Sequence, residues 1–328
     1  MQDAKSLLNY LPNISEFNFE THALEVFRFQ SSNNSIYKSY LNHLGVKVSS
    51  INKTENIPFL PISFFKTHLI QTNEWPIQKV FESSGTTGMQ TSKHAVKDVA
   101  FYHLHAKRIF EDVFGPVKET PILALLPSYL ERGNSSLVSM VKYFINQSES
   151  AFSGFYLNNI KALADKLTQL KKGHKKVILF GVTFALLDLA EQFNIDLSHV
   201  TLIETGGMKG RREEVTREEL YKVLKEKLNI AHIYSEYGMT ELLSQAYGKN
   251  AIFRAPNSMK VIIREVSDPF STADIGKTGG INVIDLANVN TCSFIETQDL
   301  GRINEGGTFE VLGRFDNSDL RGCNLLIS

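Results

Sequence analysis

The chain has 328 residues, with 35 basic and 35 acidic side chains, a balance that leaves no electrostatic footprint for nucleic acid or an anionic membrane surface. No apolar run reaches the ~18 residues of a membrane span, and the amino-terminal stretch, with Asp3 and Lys5, lacks the apolar core of a targeting segment. Two cysteines, Cys292 and Cys323, are too few for a disulfide framework, which predicts a reducing, cytoplasmic setting.

Residues 1–75 alternate polar and aromatic positions and predict short helices packed across one end of a larger domain. Leu60 to Lys66 is an apolar, proline-punctuated loop, whose Phe64 and Phe65 fit either an acyl pocket or the core. After the apolar pair Val80-Phe81 comes Ser83-Ser84-Gly85-Thr86-Thr87-Gly88. Two glycines among four hydroxylated residues can turn backbone N–H groups and hydroxyls onto one anion, as a phosphate requires. No Lys follows Gly88 directly, so this is not a Walker loop, and an ordinary turn fits the composition as well. Apolar residues at helical spacing predict a helix over His94–Phe114, ended by Gly115-Pro116.

The following segments alternate. Pro121–Pro127, Lys176–Gly181, Val200–Glu204 and Ala231–Tyr234 are short apolar runs suited to buried parallel strands. Helices are predicted over Ser135–Gln147, Asn158–Lys172, Phe184–Phe193 and Glu213–Asn229. From Ile252 onward the pattern changes to short strands with Gly, Asn and Asp turns. The expected fold class is therefore α/β, a mainly parallel sheet with flanking helices plus a smaller, antiparallel β subdomain over about residues 252–312. In such sheets ligands collect beyond the carboxyl ends of the strands. Polar or glycine-rich clusters fall there at Ser83–Gly88, Leu126–Tyr129, Gly181–Thr183, Thr205–Gly207 and Ser235–Glu241, which implies one crevice lined by Gly, Ser and Thr with an acid, Glu241.

Four stretches then carry a resemblance. Ser83–Gly88 resembles the phosphate loop of the adenylate-forming superfamily of acyl-CoA synthetases, peptide-synthetase adenylation domains and luciferases. Tyr237-Gly238-Met239-Thr240-Glu241 looks like its second signature, Glu296-Thr297-Gln298-Asp299 its Tyr-x-Thr-Gly-Asp motif with Gln298 in place of glycine, and Gly313-Arg314-Phe315-Asp316 its hinge. Within that superfamily the chain is most similar to the LuxE-type acyl-protein synthetases. That likeness rests on Leu126–Leu137, on Glu204–Lys209 and on the ending Asp319–Leu325. The organisation implied is a domain over 1–312, with the fold of an adenylate-forming enzyme's N-terminal domain, and a hinge-like segment and tail over 313–328.

The resemblance implies ATP and Mg²⁺. Ser83, Ser84, Gly85, Thr86, Thr87 and Gly88 would hold the β- and γ-phosphates, with Thr240 on the α-phosphate and Glu241 on the metal. Gly206 and Gly207 would let the backbone approach adenine, Tyr237 would stack on it beside Gly238 and Met239, and Asp299 with Arg314 would take the ribose. Taken singly, Glu241 could instead be a cap partner of a following helix and Asp299 a turn residue before Gly301. The chain stops at Ser328, so the superfamily's C-terminal domain and its lysine are expected to be absent, which leaves Lys93, Arg132 or Lys209 as candidate cations. Phe180, Gly181 and Phe184 could wall an apolar acyl pocket, although core packing explains each equally well.

Cys323 lies beside Arg321 and after Gly322, a setting that raises thiolate content, and the family context implies an acyl-thioester there. A buried terminal-strand cysteine is the alternative, and Cys292, with no basic neighbour in its β run, reads as core. The expected activity is ATP-dependent activation of a fatty or related apolar acid, capture on Cys323 and transfer to a partner protein, a reductase or an acyl carrier protein. The alternatives are an acyl- or aryl-CoA ligase, a non-catalytic acyl- or nucleotide-binding subunit, and a hydrolase or acyltransferase built on Ser128 or Cys323. No Gly-x-Ser-x-Gly elbow supports the hydrolase.

Overall fold

A computed structural model describes residues 3–83, 90–127, 133–157, 159–173, 176–206 and 216–315. The chain opens with three helices, α1 (Ala4–Asn9), α2 (Phe19–Asn33) and α3 (Ser35–His43). Asp3 caps α1 by accepting from the Ser6 N–H while the Ser6 hydroxyl accepts from the Asp3 N–H, which satisfies two of the helix's free donors. A two-residue strand β1 (Leu60–Pro61) and the one-turn helix α4 (Phe64–Thr67) follow. Next come β2 (Lys79–Glu82) and β3 (Lys93–Val96), an antiparallel hairpin that forms its own two-stranded sheet.

The hairpin changes two expectations. The serine–threonine–glycine loop leaves β2 and returns on β3, so it does not end a strand of the parallel sheet. His94 to Val96, predicted as helix, are strand; the helix α5 runs over Val99–Phe114, with Asp98 accepting from the Phe101 N–H as its cap. Gly115 ends α5 at φ +74°, a conformation that disfavours side chains with a Cβ.

The remaining strands form one sheet. On the parallel side lie β4 (Ile122–Leu125), β5 (Gly154–Phe155), β6 (Val177–Gly181), β7 (Val200–Glu204) and β8 (His232–Tyr237), in spatial order 5-4-6-7-8. The helices α6 (Ser136–Gln147), α7 (Ile160–Leu170), α8 (Thr183–Gln192) and α9 (Arg217–Leu228) connect them. β4 and β6 are buried along their whole length, as expected of strands covered on both faces. At β8 the sheet turns antiparallel and continues through β9 (Ala246–Lys249), β10 (Ile252–Arg254), β14 (Phe309–Arg314), β13 (Phe294–Ile303), β12 (Gly279–Asp285) and β11 (Met259–Arg264). The expected C-terminal β region is therefore continuous with the main sheet. β1 joins β13 in parallel.

Two hydrophobic clusters result. One packs α5–α9 on the parallel strands; the other packs α2 and α3 on the antiparallel strands. Cys292 is fully buried in the second cluster, where burial raises its thiol pKa to about 12, so the sequence-based reading of it as core holds. No described helix is long and apolar enough to cross a membrane.

Candidate active site

A cavity of about 770 Å³ opens where the ends of β7 and β8 face β13, β14 and the β2–β3 hairpin. Its most completely built corner is Asp299. Register places Asp299 of β13 opposite Arg314 of β14, next to an irregularity in the ladder between Leu300 and Gly301 that bends the strand. Arg314 Nε donates to Asp299 Oδ1 at 2.9 Å and the Tyr237 hydroxyl donates to Oδ2 at 3.0 Å. Asp299 is thus a strand residue, fixed from two sides, with a lone pair on each oxygen still available to hydroxyl donors. The same contact corrects the expectation for Tyr237. Its ring is buried against Phe253 and Phe309, with centroids 5.9 and 5.4 Å away, so it orients Asp299 and presents no face to an adenine. Burial, and then the Asp299 charge, hold its phenol far above the ordinary value.

Thr240 and Glu241 follow β8 on a loop clamped to residues 285–291. The His94 Nδ1–H donates to the Thr240 carbonyl at 2.7 Å, and Nε2 lies 3.0 Å from the Thr291 hydroxyl. Burial lowers the His94 pKa to about 4, so the ring is neutral and acts as a positioning group. Asn288 Nδ2 donates to the Glu241 carbonyl at 2.7 Å. Asp285 accepts from the Leu243 and Ser244 N–H groups at 2.8 and 2.9 Å and from the Ser244 hydroxyl at 2.6 Å. His105 Nε2 joins the Ser244 hydroxyl at 2.9 Å. None of His94, His105 or Asp285 is marked for this work by its sequence context. The only sequence signal for the two histidines is their place inside an apolar strand or helix, which is common in ordinary cores, and Asp285 reads only as an acid at a strand end.

The Glu241 carboxyl is 4 % exposed and faces the cavity; burial raises its pKa and a hydrogen bond from Ser92 opposes that rise. It is not a helix-cap partner, because turn rather than helix follows it. Among the described residues no group of three or more His, Cys, Asp and Glu side chains converges to hold a metal. A lone buried carboxylate suits a cation that takes its other ligands from phosphate and water.

The base of the hairpin loop is closed by the Ser83 N–H donating to the Ser92 carbonyl at 3.1 Å and the Ser92 N–H donating to Ser83 Oγ at 2.9 Å. Ser83 and Ser92 line the cavity. Ser84, Gly85, Thr86, Thr87 and Gly88 lie outside the described residues, as do Arg132, Gly207, Lys209 and Cys323. Lys93 is exposed, is paired in register with Glu82, and does not line the cavity. The described basic residues that do line it are Lys66 of α4 and Arg314. In sequence Lys66 carries no signal, because its segment reads only as an apolar loop.

Thr205 reaches the cavity, and Gly206 behind it turns at φ +72°, with its N–H donating to Glu204 Oε1 at 2.6 Å. Gly238, Met239 and Thr240 line the cavity as expected. Phe180, Gly181 and Phe184 do not. Phe180 is fully buried with its ring 6.0 Å from Phe110 and 6.4 Å from Phe144, and Phe184 belongs to the same core. A Cβ at Gly181 would come within 2.4 Å of Leu186, so this glycine lets α8 close onto β6. Phe65 is likewise fully buried, edge-on to His94.

No curated protein matches the chain significantly. Among solved structures it is similar to ATP-bound MatB from Rhodopseudomonas palustris, with a TM-score of 0.54, 17% identity, and 73% of this chain matched to 48% of that one. It is also similar to 2-hydroxyisobutyryl-CoA ligase in complex with 2-HIB-AMP and CoA, with a TM-score of 0.69, 13% identity, and coverage of 92% and 69%. A third is o-succinylbenzoate coenzyme A synthetase from Bacillus subtilis in complex with AMP, with a TM-score of 0.51, 18% identity, and coverage of 74% and 50%. The chain spans about half the length of the first and third of these, and at such identities the likeness is one of fold: the N-terminal domain of adenylate-forming enzymes. The family model described as acyl-protein synthetase, LuxE, matches residues 13–328, and the chain belongs to that family.

Proposed function

We propose that the protein is an acyl-protein synthetase that activates a carboxylic acid with ATP and passes the acyl group through Cys323 to a partner protein. The observation that carries this reading is the meeting of Ser83, the adjacent pair Thr240 and Glu241, and Asp299 around one cavity from three separate parts of the chain.

A carboxylate acylates poorly because its leaving group is oxide; joined to AMP it leaves a phosphate. In the proposed step a carboxylate oxygen attacks the α-phosphorus of ATP, the bond from that phosphorus to the oxygen bridging toward the β-phosphate breaks, and pyrophosphate departs with its electron pair. Little covalent chemistry falls to the protein, whose task is alignment and charge neutralisation. Asp299, held by Tyr237 and Arg314, accepts from the ribose hydroxyls. Thr240, whose backbone His94 fixes, donates its hydroxyl to the α-phosphate. Glu241 would hold Mg²⁺, which supplies charge neutralisation at the phosphates, and Lys66 contributes the protein's own cation on that side. The Cys323 thiolate then attacks the acyl carbon, the carbon–oxygen bond to the phosphate breaks, and AMP leaves. A thiol of the partner, a reductase or an acyl carrier protein, takes the acyl group by thioester exchange.

The test uses labelled ATP and a panel of acids, followed by AMP release and by hydroxylamine-labile acyl label on the protein. Acid-dependent AMP release with label lost in Cys323→Ala is expected. AMP release without label on protein with an intact Cys323 refutes the thioester step. Absence of AMP with every acid refutes the activation step and leaves a nucleotide- or acyl-binding subunit.

A further inference from the structure

The cavity is also lined by Tyr102 of α5, Leu137 and Met140 of α6, Glu236 of β8 and Gln245. Two of the polar groups among them are already used by the protein. The Tyr102 hydroxyl donates to the Ser136 carbonyl at 3.1 Å, and Gln245 Nε2 donates to the Ala106 carbonyl at 2.9 Å. Glu236 differs. Strand alternation along β8 sends Ser235 and Tyr237 to one face and Glu236 to the other, into the cavity. Among the described residues its carboxyl accepts no hydrogen bond and forms no ion pair, and the charged group that bears on it is a second carboxylate, Glu204. Glu204 is itself satisfied by the Thr183 hydroxyl at 2.6 Å, the Gly206 N–H at 2.6 Å and the Ser235 hydroxyl at 3.3 Å.

The position of Glu236 is also built. A Cβ on Gly238 would stand 2.2 Å from Glu236 Oε1, so the glycine leaves the space that this carboxyl occupies. An unsubstituted hydrocarbon chain laid against these residues would remove the carboxyl's remaining water and return nothing for it. A substituent carrying N–H or O–H groups would return the hydrogen bond, while Leu137 and Met140 accept the apolar body.

We propose that Glu236 is a specificity-determining residue, and that the acid activated here carries a hydrogen-bond donor, an amino or hydroxyl group, that binds the Glu236 carboxyl. This rests on the adenylation reading and replaces the fatty or related apolar acid expected from sequence with a polar-substituted one. Burial, and then Glu204, raise the Glu236 pKa to about 8, so at neutral pH the carboxyl can accept from a hydroxyl and donate back to it. An amine would draw it into the ionised form as an ion pair. A site that hydrogen-bonds a substrate group discriminates against the analogue lacking it far more strongly than a pocket that merely fits a methylene, because its own polar group is left bare.

The experiment measures acid-dependent ATP–pyrophosphate exchange with butanoate, hexanoate and octanoate, each unsubstituted, as the 3-hydroxy acid and as the terminal amino acid. The wild type is expected to favour one substituted series by about 10²-fold or more in kcat/KM. Glu236→Leu should reduce that ratio to near unity, chiefly by raising turnover of the unsubstituted acid. Glu236→Gln, which keeps the shape, should retain a preference for a hydroxyl and lose one for an amine. The wild-type ratio decides the matter even where the leucine variant folds poorly. Equal or better turnover of the unsubstituted acids by the wild type, or a ratio unchanged in Glu236→Leu, overturns the proposal alone. No exchange with any acid overturns the adenylation reading and this proposal with it.

Discussion

Asp299→Asn tests the nucleotide corner with the least disturbance of packing. Asp299 accepts from Arg314 on Oδ1 and from Tyr237 on Oδ2, which leaves one free lone pair on each oxygen for the two ribose hydroxyls. Asparagine has nearly the same shape but replaces one acceptor oxygen by an NH₂. With Oδ1 still paired to Arg314, the Tyr237 hydroxyl must rotate to accept, and one ribose hydroxyl meets a donor instead of an acceptor. A hydrogen bond to a charged group contributes roughly 1.5–3 kcal/mol, which converts to about a 10- to 100-fold loss of ATP affinity. Fold stability should change little. The Arg314 side chain is 62% exposed, and ion pairs of that kind contribute roughly 0–1 kcal/mol. ATP binding by calorimetry, with thermal unfolding of the same samples, reads both quantities. ATP affinity within twofold of wild type in a fully folded Asp299→Asn protein would refute the assignment of Asp299 to the ribose. A large drop in melting temperature would show instead that Asp299 serves mainly to satisfy Tyr237.

The other predictions concern charge and space. Glu241→Gln should lower turnover by about 10²-fold or more while leaving stability at neutral pH equal or higher, because the folded state raises the pKa of this carboxyl and so penalises its ionised form; initial rates against Mg²⁺ concentration and urea midpoints measure the two effects. Lys66→Ala should reduce pyrophosphate exchange roughly 10- to 100-fold, whereas Lys93→Ala should leave it within twofold, and equal effects would refute the distinction between a cavity-lining and an exposed lysine. His94 and His105 have folded pKa values lowered to about 4 from 6.5, so the stability they confer is complete above pH ~6.5 and is lost as pH falls toward 4, where the unfolded chain binds protons that the folded chain refuses. Urea midpoints should fall across that window, and His94→Asn should flatten part of the slope. Gly238→Ala places a methyl group where the Glu236 carboxyl sits; the carboxyl ends a flexible side chain and can move, so stability should hold while acid preference shifts.

Much of this architecture was legible in one dimension. The buried strands β4, β6 and β7 and the helices α6–α8 stand within one or two residues of where periodicity placed them, because short apolar runs and helical spacing are local signals. The α5 boundary was misread because apolar residues at helical spacing extended back through His94 to Val96, which β2 recruits as a partner strand. The motif residues themselves, Thr240, Glu241, Asp299 and Arg314, were nameable because each sits in a distinctive local context, and tertiary structure brings all four to one cavity. What sequence could not decide is which face a side chain takes. Glu236 directly precedes Tyr237, the motif residue that the resemblance placed against the adenine. Strand alternation turns the glutamate into the cavity and the tyrosine into the core, where it holds Asp299. Phe180 and Phe184 read equally well as pocket or core until α5, α6 and β6 closed around them, and Lys66 acquired meaning only when α4 came to rest at the cavity's edge. Composition and local pattern fixed the elements and the chemistry available. Only the packing of strands from opposite ends of the chain decided which of those groups face a substrate, since orientation depends on neighbours that are distant in sequence.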